Sequence, residues 1–352
     1  MHNNSDETKL KIVKKLITNL EMKARSHRLT LKKEIKKILI VEGSTDYRFI
    51  NKKSPLCDDV FCTIAKEIDQ NFNYKELILS AVEGWPNFYP ILMPKDLKNW
   101  KVFGMVDMDF DDVNKLKNTA KLFITDTHDL ETLMLSTERD ILQKIKGCKI
   151  EHKDVKKALF MAYQLGKMRQ LFSSDEFLGE IPFKKGLSAK NGEEVEYSSF
   201  FNNDYQILLN DLISHLYTKA NKAISTAKEK RLLRQLSKDK SIKNDLDKDK
   251  KNKEDKEEKW KWKSKLDSFD FDEPNPNDLW DVVNGHDILS LLRYVNEEAA
   301  ITFKPSPQYE TDRSFEIALI DAYDPENFKK TKICQRMVAE GIVKDNFMAQ
   351  EN

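Results

Sequence analysis

The stretch "ILIVEGSTDYRFI", residues 38–50, joins a buried strand, an acidic residue and the start of a helix. The apolar run before Glu42 has the length and composition of a buried strand. The following "STDYRFINKK" is typical of a helix with Ser44 or Thr45 as its cap. Glu42 itself is a surface residue, a helix-capping acid or a metal ligand, and this stretch leaves all three interpretations open. We expect Gly43 to let the backbone turn sharply, so that the carboxylate points into a site.

Three further apolar runs predict the rest of a sheet. They are "LILSAV" (77–82), which ends at Glu83, "WKVFGMVDMD" (100–109), and "KLFITDTHDLETLML" (121–135), which turns helical after Thr127. Each run is short, apolar on both faces and followed by a helical pattern. This alternation predicts an α/β fold, in which a parallel sheet is flanked by helices. In such sheets the chemistry lies at the carboxyl ends of the strands.

Acidic residues cluster after these predicted strands. They are Glu42, Asp46, Asp107, Asp109, Asp111, Asp112, Asp126, Asp129 and Glu131. In an extended segment Asp107 and Asp109 project to the same side, and Glu42 meets them if the two strands are neighbours. Crowded carboxylates repel one another unless a cation lies among them, and oxygen ligands suit Mg²⁺ or Mn²⁺. A single D-x-D also arises by chance in a chain with 59 acidic residues.

The flanking regions are predicted to be mostly helical. Residues 1–35 form a basic N-terminal helix, which is either a solvated amphipathic helix or a basic arm near a phosphate-bearing partner. Residues 36–145 hold the α/β domain, and residues 146–352 are mostly helical. Within the last region, the lysine-rich insertion at about 238–265 is either flexible or a flap whose Trp260 and Trp262 stack on nucleic acid.

Composition narrows the class of protein. The 352 residues carry a net charge of only +1, so a nucleic-acid surface has to come from local clustering of basic residues. The four cysteines lack metal-site spacing, which fits a reducing cytosol. Because neither a signal core nor a membrane span is recognisable, we expect a cytoplasmic protein with no membrane partner. No Walker A loop occurs, so nucleotide hydrolysis would need a partner chain.

The motifs resemble a known family. "IVEGSTDYRFI" followed by "VDMDFD" resembles the Toprim domain over about residues 36–145. "EGWPNF", through Gly84 and Asn87, is similar to a turn of the OLD-type Toprim nucleases. Together with "TDTHDLETLML" and "NGHDILSLL", these motifs resemble a Toprim-like group that includes AriB, the effector of the PARIS anti-phage system.

The resemblance implies a role for each matching residue. Glu42 would be the catalytic acid, acting as metal ligand or general base, and Asp107 and Asp109 would be catalytic residues that hold Mg²⁺ (or Mn²⁺). Asp111 would be a third aspartate ligand. A second set of residues would bind a second metal ion or orient the first ligands: Asp46, Asp129, Glu131 and His286. From the residues alone, Asn284 or Asp287 beside His286 is only a helix cap, and His128 either caps a helix or touches metal or phosphate.

The resemblance also implies an activity and partners. The chain would be a metal-dependent endonuclease that cleaves tRNA or DNA, acting as the toxic effector of abortive infection. An ABC-type ATPase sensor would hold it inactive, and release would permit a homodimer to form. A DNA-repair nuclease of the OLD type and a non-catalytic nucleic-acid-binding subunit are the alternatives.

Overall fold

The run Ile38–Val41 forms the centre of a parallel sheet in the computed structural model of the chain. The structure describes residues 3–26, 35–70, 73–92, 100–108, 121–173, 200–208, 274–276, 278–303 and 313–344. The strands are β1 (Lys37–Val41), β2 (Val60–Ile64), β3 (Lys101–Val106) and β4 (Leu122–Ile124). They pair in the order β2-β1-β3-β4, all parallel. Since β1 and β3 are the two central strands, the residues that follow them lie side by side at the carboxyl edge of the sheet.

Helices precede, separate and follow these strands. In chain order they are α1 (Asn3–Ser26), α2 (Ser44–Lys53), α3 (Ala65–Ile68), α4 (Tyr74–Leu92), α5 (Leu130–Thr137), α6 (His152–Ser173), α7 (Leu279–Val282), α8 (Gly285–Val295), α9 (Glu297–Thr302), α10 (Arg313–Ala322), α11 (Pro325–Lys329) and α12 (Lys332–Ala339), with a short 3₁₀ helix at Ile141–Lys144. The predicted α/β fold, a parallel sheet flanked by helices, is therefore confirmed.

Alternate residues of β1 point into two apolar cores. Ile38 and Ile40 lie in the core that the sheet shares with α1 and α4, whereas Leu39 and Val41 face the other core. This second core also contains Phe315 and other apolar residues of α10–α12. Successive residues of a strand point to opposite faces of the sheet, so a strand buried on both faces has helices packed on each side. The sheet and the helices on its two faces form three layers. Helices from the C-terminal region thus cover one face of the sheet and reach its carboxyl edge.

The prediction of a strand at 77–82 is wrong. These residues lie within α4, and they bury Leu77, Ile78, Ala81 and Val82 on one helical face. A short apolar run fits a buried strand and a buried helix equally well, so its periodicity did not decide between them. The second strand in sequence is Val60–Ile64 instead.

Because residues 77–82 form a helix, the residues predicted to follow a strand there have a different environment. Glu83 is an exposed residue of α4 and pairs with Lys9 of α1, at 2.8 Å between Nζ and Oε2. Gly84 and Asn87 also lie inside α4, and the Asn87 side chain donates to the Glu83 carbonyl oxygen at 3.1 Å. The "EGWPNF" segment is therefore not a turn after a strand.

Gly43, rather than Ser44 or Thr45, is the N-cap of α2. Its φ of −128° and ψ of 178° are an extended conformation that other residues adopt readily. The chain does bend at Glu42 and Gly43 before the helix, as expected, but the backbone conformation of this bend does not require glycine.

The N-terminal helix packs against the sheet layer. Its residues Ile12, Val13, Leu16 and Leu20 are buried, as the apolar spacing predicts. Lys15 forms an ion pair with Asp69. This favours an amphipathic helix whose apolar face packs on the domain. The lysine-rich insertion at 238–265 lies outside the described residues. None of the described helices combines the length and the apolar character that a membrane span requires.

Candidate metal centre

Glu42 and Asp107 meet at the carboxyl edge of the sheet. Glu42 follows β1 and Asp107 follows β3, and the two strands are hydrogen-bonded neighbours. The backbone N–H of Asp107 donates to Glu42 Oε1 at 3.0 Å. Lys75, in the first turn of α4, donates from its ammonium group to the carbonyl oxygen of Asp107. The structure therefore brings together the two acids that the sequence placed 65 residues apart.

Asp46 lies beside this pair, in the first turn of α2. Its Oδ2 accepts a hydrogen bond from the Gly43 N–H at 2.7 Å. Burial and the charges of Glu316 and Asp129 raise the pKa of Asp46 to about 6, although the Gly43 N–H and His286 oppose the shift. Asp46 is therefore a carboxyl group that loses its proton near neutral pH, where a nearby cation would favour ionisation.

Asp129 accepts hydrogen bonds from the first turns of two helices, α5 and α8, at the same edge of the sheet. Its Oδ1 accepts from the N–H of Thr132 at 2.9 Å and caps α5, while its Oδ2 accepts from the N–H of Gly285 at 2.7 Å. The His128 ring contacts the same carboxylate at 3.2 Å. Burial opposes ionisation, but the hydrogen bond and charge of His128 together with the charge of His286 lower the pKa of Asp129 to about 2. Asp129 is therefore an ionised anchor that holds α8 against α5.

Glu131, His286 and Glu316 form a group of possible metal ligands in the same site. His286 Nδ1 lies 3.9 Å from Glu131 Oε1 and 3.6 Å from Glu316 Oε1. Thr45 donates to Glu316 Oε2 at 2.8 Å. Both carboxylates are buried, whereas 51% of the His286 side chain is exposed. One ligand atom from each of the three residues lies within 4.8 Å of the others, so this group could hold a metal ion.

The pKa values of Glu131 and His286 are shifted because several ionisable side chains lie close together. Burial raises the pKa of Glu131 to about 8, with Asp129, Glu316 and Asp46 adding to the shift and His286 opposing it. For His286, burial disfavours the charged ring, but Glu131, Glu316 and Asp129 outweigh burial and raise its pKa to about 9. The imidazolium is the positive charge that these acids share.

Together these side chains form what we call the acid cluster. Its members are Glu42, Asp46, Asp107, Asp129, Glu131, His286 and Glu316. Burial and the charges of four other members, Asp46, Glu42, Asp129 and Glu131, raise the pKa of Asp107 well above its usual range. Six carboxyl groups beside His286, with the His128 ring against Asp129, are a strongly unfavourable arrangement unless protons or a cation neutralise them. Carboxylate oxygens suit Mg²⁺, Mn²⁺ and Ca²⁺, whereas an imidazole nitrogen also suits Zn²⁺ and Fe²⁺, so the ligand types define a cation site without selecting the ion.

Other predicted residues fall elsewhere. Asp109 and Asp111 lie outside the described residues, as does Asp112. Asp126 does not belong to the acid cluster, because its carboxylate accepts hydrogen bonds from the backbone of α12, including one from the Ile333 N–H at 3.1 Å. Asn284 caps α8.

Glu316 is the member that sequence reasoning missed. It lies in "RSFEIALIDA" without a motif, and an acid on an amphipathic helix ordinarily faces solvent. Only the packing of α10 beside α2 reveals it. No signal in the sequence could have assigned it to the site.

Gly285 permits the close approach of α8 to the acid cluster, which leads to a stability prediction. A Cβ at this position would lie 2.3 Å from Glu131 Cβ and 2.6 Å from Asp129 Oδ1. We expect Gly285→Ala to lower the free energy of unfolding by about 1–3 kcal/mol, because overpacking forces the helix away. Urea unfolding monitored by circular dichroism measures the change.

Gly43→Ala is the matched control for this substitution. Its Cβ would meet nothing closer than Asp46 Oδ2 at 3.4 Å, and its φ suits alanine. We expect the smaller loss, about 0.5–1 kcal/mol, because alanine is less favourable than glycine at an N-cap. Equal destabilisation by both substitutions would contradict the packing described for Gly285.

The raised pKa values predict how the stability of the metal-free protein depends on pH. Folding raises the pKa of Glu131 from 4.5 to about 8 and that of His286 from 6.5 to about 9. The folded state therefore holds protons that the unfolded state releases, so stability falls as pH rises through these values. We expect the Tm in EDTA to fall between about pH 6 and pH 9, and Mn²⁺ to reduce the fall because the cation replaces the protons.

Differential scanning fluorimetry across this pH range measures the effect. Glu131→Gln should flatten the dependence of Tm on pH. A metal-free Tm that stays constant or rises over the same range would contradict the coupling between these groups.

Comparison with known proteins adds no family to these observations. No protein-family model, curated protein or solved structure matches the chain. The class defined by the structure is an α/β protein with a parallel sheet and a candidate metal centre at its carboxyl edge.

Proposed function

We propose that the chain is a metal-dependent endonuclease, a Toprim-like phosphodiester hydrolase. The observation that supports this most is the Glu42–Asp107 hydrogen bond between the ends of the two central strands. It gathers carboxylates where parallel α/β sheets carry their chemistry. The order of motifs, "VEG" after β1 and "VDMD" after β3, is the order that the Toprim resemblance implies.

Each residue of the proposed site would have its own role. Glu42 and Asp107 would hold the first Mg²⁺ or Mn²⁺, and Glu131, His286 and Glu316 could hold another ion. Bound there, the metal would polarise the scissile phosphate and promote formation of the attacking hydroxide. Thr45 orients the Glu316 carboxylate, and Asp129 fixes the position of the helix that carries His286. Such fixed partners set the direction of ligand atoms in metal sites.

The biological setting of the proposal rests on the resemblance of the motifs. We propose a toxic effector of anti-phage defence that cleaves tRNA or DNA, acts as a homodimer and is controlled by an ABC-type ATPase partner. Gene neighbourhood supports or opposes this setting directly, because an adjacent ATPase gene is expected for such a pair.

Removal of metal tests the proposed activity. Purified protein, with and without a co-expressed ATPase partner, is incubated with labelled tRNA and with labelled DNA. We expect cleavage in Mg²⁺ or Mn²⁺, its loss in EDTA, and its return when the ion is restored. Undiminished cleavage in EDTA would contradict the proposal. Binding without cleavage under every condition would favour a non-catalytic nucleic-acid-binding subunit.

A further inference from the structure

A groove of about 690 Å³ lies beside the acid cluster. One wall is α2, which contributes Ser44, Thr45, Tyr47, Arg48, Asn51 and Lys52. The other walls come from the end of β2, from α3 and from α10. The groove reaches the acid cluster through Thr45, whose hydroxyl donates to Glu316 at 2.8 Å. A molecule that fills it would therefore extend directly from the candidate metal centre.

The α2 wall of the groove is rich in hydrogen-bond donors and carries two cations. Arg48 and Lys52 both contact the carboxylate of Asp321 on α10, with 3.4 Å between Arg48 Nη2 and Asp321 Oδ1. Their side chains remain 42% and 43% exposed, so both charged groups are accessible. Arg48 and Lys52 share Asp321, and Glu67 on α3 adds a second carboxylate to the groove lining, so the charges of these four side chains sum to zero. The neighbouring acid cluster is rich in carboxyl groups and includes neither lysine nor arginine.

This contrast matters for a phosphodiester substrate. The carboxylates of the acid cluster repel phosphate, so a bound metal can attract only the phosphate that it contacts directly. The phosphates on either side need cations from the protein. Among the described residues that line the groove, Arg48 and Lys52 supply them, one helical turn apart on α2. Tyr47 adds an aromatic ring to the same wall, on which a base can stack.

We propose that this groove binds the nucleotide next to the scissile phosphodiester of a single-stranded nucleic acid, an inference that rests on the proposed nuclease function. Arg48 and Lys52 contact the neighbouring phosphate, and Tyr47 contacts the base. The volume lies within the range of pockets that bind small ligands, and a base that stacks on Tyr47 has left the base stack of a duplex. Single strands or looped-out nucleotides are therefore the substrates of this site.

Binding of short fluorescent oligonucleotides tests the groove. The full chain is titrated with single-stranded RNA, single-stranded DNA and a duplex of the same sequence, in Ca²⁺ to slow cleavage. We expect Arg48→Ala and Lys52→Ala each to weaken single-strand binding about five- to tenfold. Each should also reduce the slope of log Kd against log salt concentration by about one, because one phosphate contact is lost. The tighter of the two single strands identifies the sugar of the substrate.

Arg139→Ala is the matched control. Arg139 is an exposed arginine just beyond the end of α5, and the acid cluster lies at the start of that helix. We expect this variant to bind like wild type. Wild-type affinity in both groove variants would overturn the proposal, and so would a wild-type protein that binds no single strand or binds the duplex equally well.

Cleavage of the same oligonucleotides in Mg²⁺ or Mn²⁺ separates this inference from the proposed function. If the wild type binds single strands through Arg48 and Lys52 but never cleaves them, the nuclease proposal fails and the groove stands. If the wild type cleaves and both groove variants cleave and bind equally well, the groove is overturned and the nuclease proposal stands.

Discussion

Glu42→Gln is expected to abolish metal-dependent cleavage, with a loss of roughly a thousandfold or more in rate. The substitution removes the charge of a proposed metal ligand at the sheet edge while keeping the size of the side chain. Metal ions contribute several kcal/mol of transition-state stabilisation, and each 1.4 kcal/mol corresponds to about tenfold in rate. The oxygen of the introduced amide can still accept the hydrogen bond from the Asp107 N–H, so the fold is expected to remain intact. Rates of oligonucleotide cleavage in Mg²⁺ and Mn²⁺ measure the loss.

Glu83→Gln is the matched control for this substitution. The sequence predicted Glu83 also to follow a strand, but it is exposed on α4 and pairs with Lys9. We expect its cleavage rate to stay within about twofold of wild type, since exposed ion pairs contribute little. In cells, RNA and DNA ends that are identical with and without Glu42 would contradict the assignment of Glu42. So would equal losses of activity from the two substitutions.

Arg169→Met is expected to cost about 3–5 kcal/mol of the free energy of unfolding. Arg169, on α6, forms a bidentate ion pair with Asp287 on α8, and both residues are buried. One of the two bonds, from Nη2 to Oδ1, measures 2.8 Å. Methionine retains the apolar stem but leaves the carboxylate buried without its partner, which is the costly outcome for a buried pair. Because Asp287 follows His286, the loss should also loosen the wall of the acid cluster.

A double substitution and an exposed pair control this result. Arg169→Met combined with Asp287→Asn should recover part of the loss, since no unpaired charge remains. Asp58→Ala removes a partner from the Lys344–Asp58 pair, in which the Asp58 side chain is 92% exposed, and should cost less than about 1 kcal/mol. Denaturant unfolding measures all three variants. Similar small losses for Arg169→Met and Asp58→Ala would contradict the importance of the buried pair.

The centre of the site could be predicted from the sequence because each residue follows a strand. Glu42 and Asp107 end two apolar runs, and the parallel sheet places such ends at one edge. Their meeting depended only on β1 and β3 being neighbours, which the structure shows. The alternation of strands and helices likewise predicted the α/β fold. The sequence therefore predicted the ends of the two central strands, whereas their adjacency comes from the structure.

The other features of the fold and of the site depend on contacts between distant segments of the chain. Local sequence patterns do not predict such contacts. The run 77–82 was assigned to a strand because a buried helix can show the same short apolar pattern. Glu316 belongs to the acid cluster only because α10 packs beside α2. Asp129 was predicted to lie near the metal, but its hydrogen bonds to Thr132 and Gly285 give it a structural role as well. These contacts join segments far apart in the chain.

Direct titration of metal into the protein tests the central claim, that the acid cluster is a divalent-metal site. Isothermal titration calorimetry with Mn²⁺ and with Mg²⁺ would be performed on metal-free wild type and on Asp107→Asn near pH 7, in buffers of different ionisation enthalpy. We predict saturable binding to the wild type with release of protons, because the Glu131 carboxyl group, whose pKa is raised to about 8, is protonated near pH 7 without the cation. Asp107→Asn should weaken binding at least about tenfold. The absence of saturable binding by the wild type, or unchanged affinity in Asp107→Asn, would contradict the account.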